Sequence, residues 1–323
     1  YWNTVASVDA LKLTPDDVHL CMFAPFAHPH EIFARPLYLG GTMVLVDKLY
    51  PKSIAEAISA HKVTCMMGLS PMYENLLELL EHKNYDLGSL RIPESGGMYT
   101  RVELMERFKH KLGVPIIPVW GSTETTGIAL ANRPHGHIPA GSVGKPCLHY
   151  EVKIVDEDGE ELPAGETGEM IFKGPAIVKG YYESIGSREQ CFKDGWYSTG
   201  DIMRRDKDGF YYFISRVDDM FVCAGENIFP SEVEAMLEHN AKIHQAAVVP
   251  LDDEIKGQVP AAFVVCKSGV ELTEQEVKAF ALEHGPAYQH PRRVAFVDEL
   301  PLGGTNKIDR RALIERAKST LGS

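Results

Sequence analysis

An α/β fold followed by a compact α+β module is what this sequence predicts, and three features predict it. Short apolar runs alternate with helical periodicity through roughly the first 130 residues. From Gly141 to Arg216 the helical pattern gives way to strand after strand. Beyond Arg216 strands and helices return in a short, dense module. A chain of 323 residues is ample for a large core, and length alone allows about two domains. The expectation is therefore a doubly wound α/β domain with a small β-barrel-like subdomain (1–217), then a compact α+β carboxyl-terminal domain (218–323), divided at Val217-Asp218.

The elements follow in order. The chain opens at Tyr1-Trp2-Asn3 inside a helical pattern and without a methionine, and so reads as part of a larger protein. Thr42 to Asp47 is a short apolar strand, and Pro51 to Lys62 places Ile54, Ala57, Ile58 and His61 on one helical face. Val63 to Gly68 is a strand, Pro71 to His82 a leucine-rich helix, Arg101 to Leu112 another helix and Pro115 to Trp120 a strand. Such β-α-β-α order implies a largely parallel sheet with helices on both faces, whose ligands bind beyond the carboxyl ends of the strands. The loops after Glu94 and after Trp120 are the two candidates. Val152 to Val155, Glu169 to Lys173 and an Asp201–Ser215 hairpin suggest the small barrel or sheet, with Ser198-Thr199-Gly200-Asp201 read as a polar turn. The last module reads as a helix at 231–239, strands at 244–250 and 260–266, a helix at 273–284, a strand near 293–297, a glycine-rich loop and a basic helix.

Composition excludes several classes. Hydrophobic content of 44% with 24% charged residues is that of an ordinary globular protein. A net charge of −12 argues against a nucleic-acid groove or an anionic-membrane patch, while leaving room for a local basic site. The six cysteines are scattered without a C-x-x-C pair, which argues against structural zinc and suits free thiols in the cytoplasm. No signal peptide or membrane-spanning apolar run is present in the sequence.

Several stretches carry residues suited to chemistry. WGSTETTG (120–127) combines an aromatic ring, hydroxyls and one carboxylate after an apolar strand. Hydroxyls can bond phosphate oxygens and a carboxylate suits Mg²⁺ on a triphosphate, but such a loop can equally satisfy its own backbone. Gly96 and Gly97 in SGGM permit close approach to a flat ligand, or simply a turn. Asp201 by itself is a turn acid, Arg216 can make paired bonds to oxygens, and Lys307 in LGGTNKIDRRAL is by itself a solvated surface residue. His28 has His19 and His30 nearby but no metal partner at an obvious spacing.

Taken together, the segment YSTGDIMRRDKDGFYYFISRVDDMFVCAGENIFPSEVE (197–234), WGSTETTG, SVGKP (142–146) and TGEMIFKGP (167–175) resemble the acyl- and aryl-CoA synthetases of the adenylate-forming superfamily. The resemblance spans nearly the whole chain. It implies that ATP, magnesium, CoA and a carboxylic acid are the small molecules bound. Trp120, which stands where the family more often has tyrosine, would stack near adenine. Thr123 would contact the α-phosphate and Glu124 would reach the magnesium. Gly96, Gly97, Met98, Gly121 and Ser122 would border the nucleotide, with Phe213 from the hairpin. Met98 replaces the family's usual alanine and would narrow the acyl pocket, to which His28, Gly97 and Gly121 also belong. Asp201 would bond the ribose hydroxyls and Arg216 would contact ribose and phosphate. Lys307 would enter the site during adenylation, and Asp218 would be the hinge about which the small domain turns. Its opposite face (Cys223, Ala224, Gly225 and Glu226) would then border the pantetheine tunnel for thioester formation.

The resemblance also shows what the sequence lacks. The family's Ser/Thr/Gly-rich phosphate loop ending in Pro-Lys-Gly would precede Tyr1. Two alternatives to a CoA ligase therefore stay open: an adenylation domain that loads a carrier protein, and a non-catalytic nucleotide-binding fragment. The sequence names neither the acid nor the oligomeric state, for which a homodimer is one option.

Overall fold

The computed structural model describes residues 1–23, 33–182, 191–303 and 308–322. His28, Gly304, Asn306 and Lys307 lie outside the described residues. The chain divides into two compact units: Tyr1–Thr199 with Met203–Phe213, and Gly200–Ile202 with Ile214–Ser323. The division passes through the hairpin that follows Trp196.

In the first unit, five strands run parallel in the order β2-β1-β3-β4-β5: β1 (Val18–Cys21), β2 (Thr42–Leu45), β3 (Cys65–Gly68), β4 (Ile92–Ser95) and β5 (Ile117–Ser122). The helices are α1 (Trp2–Leu11), α2 (Arg35–Leu39), α3 (Pro51–His61), α4 (Ser70–His82) and α5 (Val102–Leu112). They cover both faces, and β3 shows why. Neighbouring side chains on a strand point to opposite faces. Cys65 and Met67 join a core with Ala6 and Leu11 of α1, whereas Met66 between them packs with Ile54, Leu76 and Phe108 of α3, α4 and α5. Proline at the first turn starts both α3 and α4, where its missing amide costs no helical bond.

From β5 onward the sheet continues antiparallel. The added strands are β6 (Gly127–Ala131), β7 (Ser142–Pro146), β8 (Glu151–Val155), β9 (Thr167–Lys173), β10 (Phe192–Lys193), β11 (Trp196–Arg205) and β12 (Tyr211–Arg216), in the path β5-β6-β7-β12-β11-β9-β8. Among the described residues this path stays open. The barrel-like subdomain is thus an extension of the large sheet and not a closed barrel.

The polar turn expected at Ser198–Asp201 is instead the middle of β11. Tyr197, Thr199, Asp201 and Met203 alternate inward with the pleat, so the strand buries two polar residues among its inward positions. Gly200 takes a φ of 68°, which lets the strand deform there without the penalty a side chain would bring. The DKDG turn before β12 forms as expected, with Asp206 Oδ1 accepting from the amides of Asp208 and Phe210 at 2.9 Å each.

A buried ion pair ties the parallel part together. Arg35 Nη1 donates to both Glu94 oxygens at 2.9 Å and Arg35 Nε to Ser7 Oγ at 3.0 Å, with the two charged side chains 2% and 3% exposed. The Tyr73 hydroxyl donates to the Glu94 carbonyl. Residues from α1, α2, α4 and β4 are thereby held by one network. His19 on β1 is buried nearby. Its imidazole is pushed down to about 4 by burial first, then by Arg35 and Arg91, with Asp17 opposing.

The second unit is a sheet in the order β14-β13-β16-β15, with β17 beside β16, built from β13 (Phe221–Cys223), β14 (Glu226–Ile228), β15 (Ile243–Asp253), β16 (Gly257–Cys266) and β17 (Arg293–Phe296). Its helices are α6 (Pro230–Glu238), α7 (Glu274–His284) and α8 (Arg310–Thr320). Thr273 and Glu276 form a capping box at the start of α7. Arg310 clamps the start of α8: it bonds Glu234 on α6 at 2.6 and 2.9 Å, the Val248 carbonyl on β15 at 2.9 Å, and Asp219 at 3.2 Å. No helix among the described residues is long and apolar enough to cross a membrane.

Two outcomes follow from the buried charges. Arg35→Met strands the Glu94 carboxylate and should lower unfolding stability by about 3–5 kcal/mol, while adding Glu94→Met should recover part of the loss, as read from urea unfolding. For His19, the unfolded chain takes up a proton in the ordinary histidine range, whereas the folded imidazole does so only near 4. Its contribution is therefore complete above that range and declines as pH falls toward about 4. Urea midpoints measured between neutral and acid pH should fall less steeply in His19→Leu than in the unsubstituted protein.

Candidate active site

Parallel strands that run the same way end on the same edge, and the two candidate loops leave from that edge. Register pairs Gly68 with Ser95, and Ser95 with Pro118, so the turn after β4 lies beside the end of β5. Gly96 is buried there, and a Cβ on it would sit 2.7 Å from Met67 Cε and 3.0 Å from Val119 Cγ2. Gly97 has a φ of 78°, and Met98 is 38% exposed. Ser95 is buried and accepts from Thr100 Oγ1 at 2.7 Å, while Ser70 Oγ donates to the Tyr99 carbonyl at 2.9 Å, which fixes the far end of the loop.

The second loop is where β5 turns back as β6. A Cβ on Gly121 would meet the Gly127 carbonyl oxygen at 2.3 Å, so this backbone approach admits glycine alone. Thr125 is fully buried and stitches the turn from inside, accepting from the Ser122 amide at 2.9 Å and donating to the Gly127 carbonyl at 2.7 Å. The Tyr150 hydroxyl donates to the Thr125 carbonyl at 2.6 Å. Thr125 is therefore structural, which frees the exposed Thr123 and the half-buried Ser122 and Glu124 to face a ligand. Trp120 lays one face on Phe172, with centroids 5.0 Å apart and planes 3° from parallel. That face is thereby closed to a base.

Glu124 is the charged group of the loop. The Tyr181 hydroxyl donates to its Oε1. Burial pushes the Glu124 carboxyl up, but hydrogen bonds from Tyr181, its own backbone amide, Ser122 and Tyr197 outweigh burial and hold it below the ordinary glutamate range. Burial, followed by the contact with Glu124, raises the Tyr181 phenol. An ionised, partly desolvated carboxylate suits a hard cation such as magnesium, which takes one or two carboxylates together with phosphate oxygens. Among the described residues no group of three or more His, Cys, Asp and Glu could hold a metal by itself.

The second unit carries the remaining candidates. Arg216 pairs with Asp201 through its Nη1, the carboxylate side chain being 6% exposed and the arginine 45%. Phe213, on the same hairpin but within the first unit, is half-buried against that unit's core. Asp218 is exposed within a 3-10 turn, Val217–Asp219. Ala224 and Gly225 form the two-residue turn between β13 and β14 with φ of 52° and 89°, and Glu226 is exposed beside them. Cys223 departs from its expected place at a tunnel wall. The pleat turns its side chain into the unit's core at 1% exposure, and it is Val222 that faces outward at 45%. On either side of residues 304–307, Leu302 bridges Ile308 and the Asp309 amide donates to the Pro301 carbonyl at 2.8 Å.

With this geometry in place, comparison with known proteins is informative. The model of the AMP-binding enzyme family matches residues 1–182, and that of the AMP-binding enzyme C-terminal domain matches 232–307. The chain belongs to the AMP-binding enzyme family. A 2-succinylbenzoate–CoA ligase of Geobacillus sp. (strain WCH70) is 34% identical over 322 residues, spanning 97% of this chain and 63% of that protein. The 4-coumarate–CoA ligase-like 9 protein of Arabidopsis thaliana is 37% identical over 287 residues, spanning 88% of this chain and 51% of that protein. Among solved structures, ATP-bound MatB from Rhodopseudomonas palustris matches with a TM-score of 0.92 at 27% identity, covering 100% of this chain and 64% of MatB. This chain thus spans less than two thirds of the AMP-binding enzymes it matches.

Sequence reasoning missed Tyr181 and Tyr197 as neighbours of Glu124, and Arg310 as the clamp on α8. The signal for Tyr181 was present only as GYY after the strand of TGEMIFKGP, and nothing local ties it to a glutamate 57 residues earlier; Tyr197 opens the YSTGD segment, equally far from that glutamate in local terms. For the Gly121 turn, Gly121→Ala should destabilise the protein by about 2 kcal/mol or more, because the obstacle is backbone and cannot rotate away. Gly113→Ala, whose Cβ would meet nothing within 4 Å at a φ of 77°, gives the cost of positive φ alone, and thermal unfolding should show Gly121→Ala to be the more damaging.

Proposed function

We propose that the protein carrying this sequence is an AMP-forming carboxylate–CoA ligase. The observation that carries this reading is the turn at Gly121–Glu124. It offers an ionised carboxylate, exposed hydroxyls and an aromatic face at the carboxyl edge of a parallel sheet, beside the close-approach glycines 96 and 97. Its relatives with CoA-ligase names support the thiol acceptor. In the first half-reaction a carboxylate oxygen of the acid attacks the α-phosphorus of ATP and pyrophosphate leaves, giving an acyl adenylate. In the second, the CoA thiol, losing its proton, attacks the acyl carbonyl and AMP leaves.

The residues divide this work. Trp120, Gly96 and Gly97 flank the base, Ser122 and Thr123 donate to phosphate oxygens, and Glu124 would hold magnesium, which supplies positive charge to the leaving pyrophosphate. Asp201 accepts from ribose hydroxyls and Arg216 lies between ribose and phosphate. Because Arg216 already pairs with Asp201, the nucleotide must take the second carboxylate oxygen or shift the guanidinium. His28, Met98, Gly97 and Gly121 border the acid, and Phe213 stands beside the nucleotide. We assign residues 218–323 as a domain that turns about Asp218. It brings Lys307 to neutralise charge during adenylation, then brings Val222 and the Ala224–Glu226 turn toward the pantetheine arm. We also place the protein in the cytoplasm, and take a homodimer as the assembly to test.

Carboxylate-dependent pyrophosphate release by the full-length protein, screened over aliphatic, alicyclic and aromatic acids with and without CoA, tests this reading. Release with a subset of acids, together with their CoA thioesters by mass spectrometry, is expected. Nucleotide binding without release for any acid would instead favour a non-catalytic module, and an acyl adenylate that CoA fails to discharge would favour loading of a carrier protein. Lys307→Ala should slow adenylate formation by about a hundredfold or more while sparing thioester formation from a supplied adenylate. Equal losses in both half-reactions would refute the two-face assignment.

A further inference from the structure

Glu124 is held by more than its own turn. The chain from Gly174 to Tyr181, far from it in sequence, is fastened to the same turn at three points. Val178 donates its amide to the Glu124 carbonyl at 2.9 Å, Thr126 Oγ1 donates to the Ala176 carbonyl at 2.9 Å, and the Tyr181 hydroxyl donates to Glu124 Oε1. The Tyr181 ring is itself fixed from behind. Phe192 meets it edge-on at 5.8 Å, and Tyr197 stacks on Phe192 at 5.3 Å. A glutamate side chain on an exposed turn would sample many rotamers, and ordering it would oppose cation binding. Here the ordering is already done by the fold.

We propose that Tyr181 is a positioning residue that engages Oε1 of Glu124 and thereby turns Oε2 toward the divalent cation on the nucleotide phosphates. The proposal rests on the magnesium role given to Glu124 above. Tyr181 does not touch the reacting atoms; it acts through the carboxylate. Partners of this kind, one bond removed from a metal, typically change metal affinity by about 10–100-fold when removed. The donor is well chosen for the task. A phenol can donate to one carboxylate oxygen and leave the other oxygen for a cation.

The test uses Mn²⁺ as the probe, with a non-hydrolysable ATP analogue and the full-length protein, following free Mn²⁺ by electron paramagnetic resonance. Tyr181→Phe keeps the ring against Phe192 and removes only the hydroxyl. It should weaken Mn²⁺ binding in the analogue complex by about tenfold, with the metal-free affinity for the analogue unchanged within about twofold. In turnover, the Mg²⁺ requirement should rise while the KM for the acid stays constant. Mn²⁺ binding as tight as in the unsubstituted protein, or tighter, would overturn the proposal, the latter because the hydroxyl would then compete with the cation. A parallel loss of metal-free analogue binding would overturn it too, by showing that Tyr181 merely supports the turn. Glu124→Gln separates the two layers of the argument. If it leaves Mn²⁺ affinity intact, the magnesium role itself fails; if it abolishes binding while Tyr181→Phe leaves Mn²⁺ affinity unchanged, only the positioning role fails.

Discussion

The close approach of Gly121 to the Gly127 carbonyl is the constraint on which the first unit's chemistry depends. At that point the sheet stops being parallel and reverses direction, and the reversal is completed in a handful of residues. A parallel sheet cannot continue without a long crossover, whereas an antiparallel partner needs only a tight turn. The turn must therefore fold on the sheet's carboxyl edge, where the loops of the preceding strands also emerge. Buried Thr125 satisfies the backbone from within, so Thr123 and Glu124 project outward. One glycine thus decides both where the polar loop lies and which of its side chains are available.

In the second unit a comparable role falls to Arg310. Its guanidinium reaches an acid on α6, a carbonyl on β15 and an acid of the 3-10 turn that follows β12. Burial would depress its charge, but the two carboxylates outweigh that and hold the guanidinium more firmly protonated than usual. Because α8 starts at this residue, the chain just before it is held as well, with Ile308 bridged to Leu302.

Much of this was legible in the sequence. Helices α3, α4 and α5 were readable because amphipathic periodicity and first-turn prolines are local signals, as at Pro51 and Pro71, whereas the short α2 was not. So was the DKDG turn, where the Asp206 side chain copies a backbone turn. YSTGD was misread because its residue types are those of turns; only pairing on both sides makes a strand of it and buries Thr199 and Asp201. Whether the β-rich part would be a barrel or a sheet was left open in the sequence for a similar reason. Strand pattern gives the number and length of strands, but closure depends on which edges find each other. Cys223 was assigned by motif position, and the pleat sent its sulfur to the core.

What the sequence alone determined is the order of elements, the candidate loops and their placement after parallel strands, since periodicity, turn chemistry and motif spacing are properties of neighbouring residues. Tertiary structure alone decided that the sheet stays open among the described residues, that Arg216 lies on Asp201, and that Tyr181 bonds Glu124 across 57 residues. Those contacts arise between segments with no local dependence on each other. They become favourable only once the sheet has fixed both partners and the entropy of bringing them together has been met by packing elsewhere.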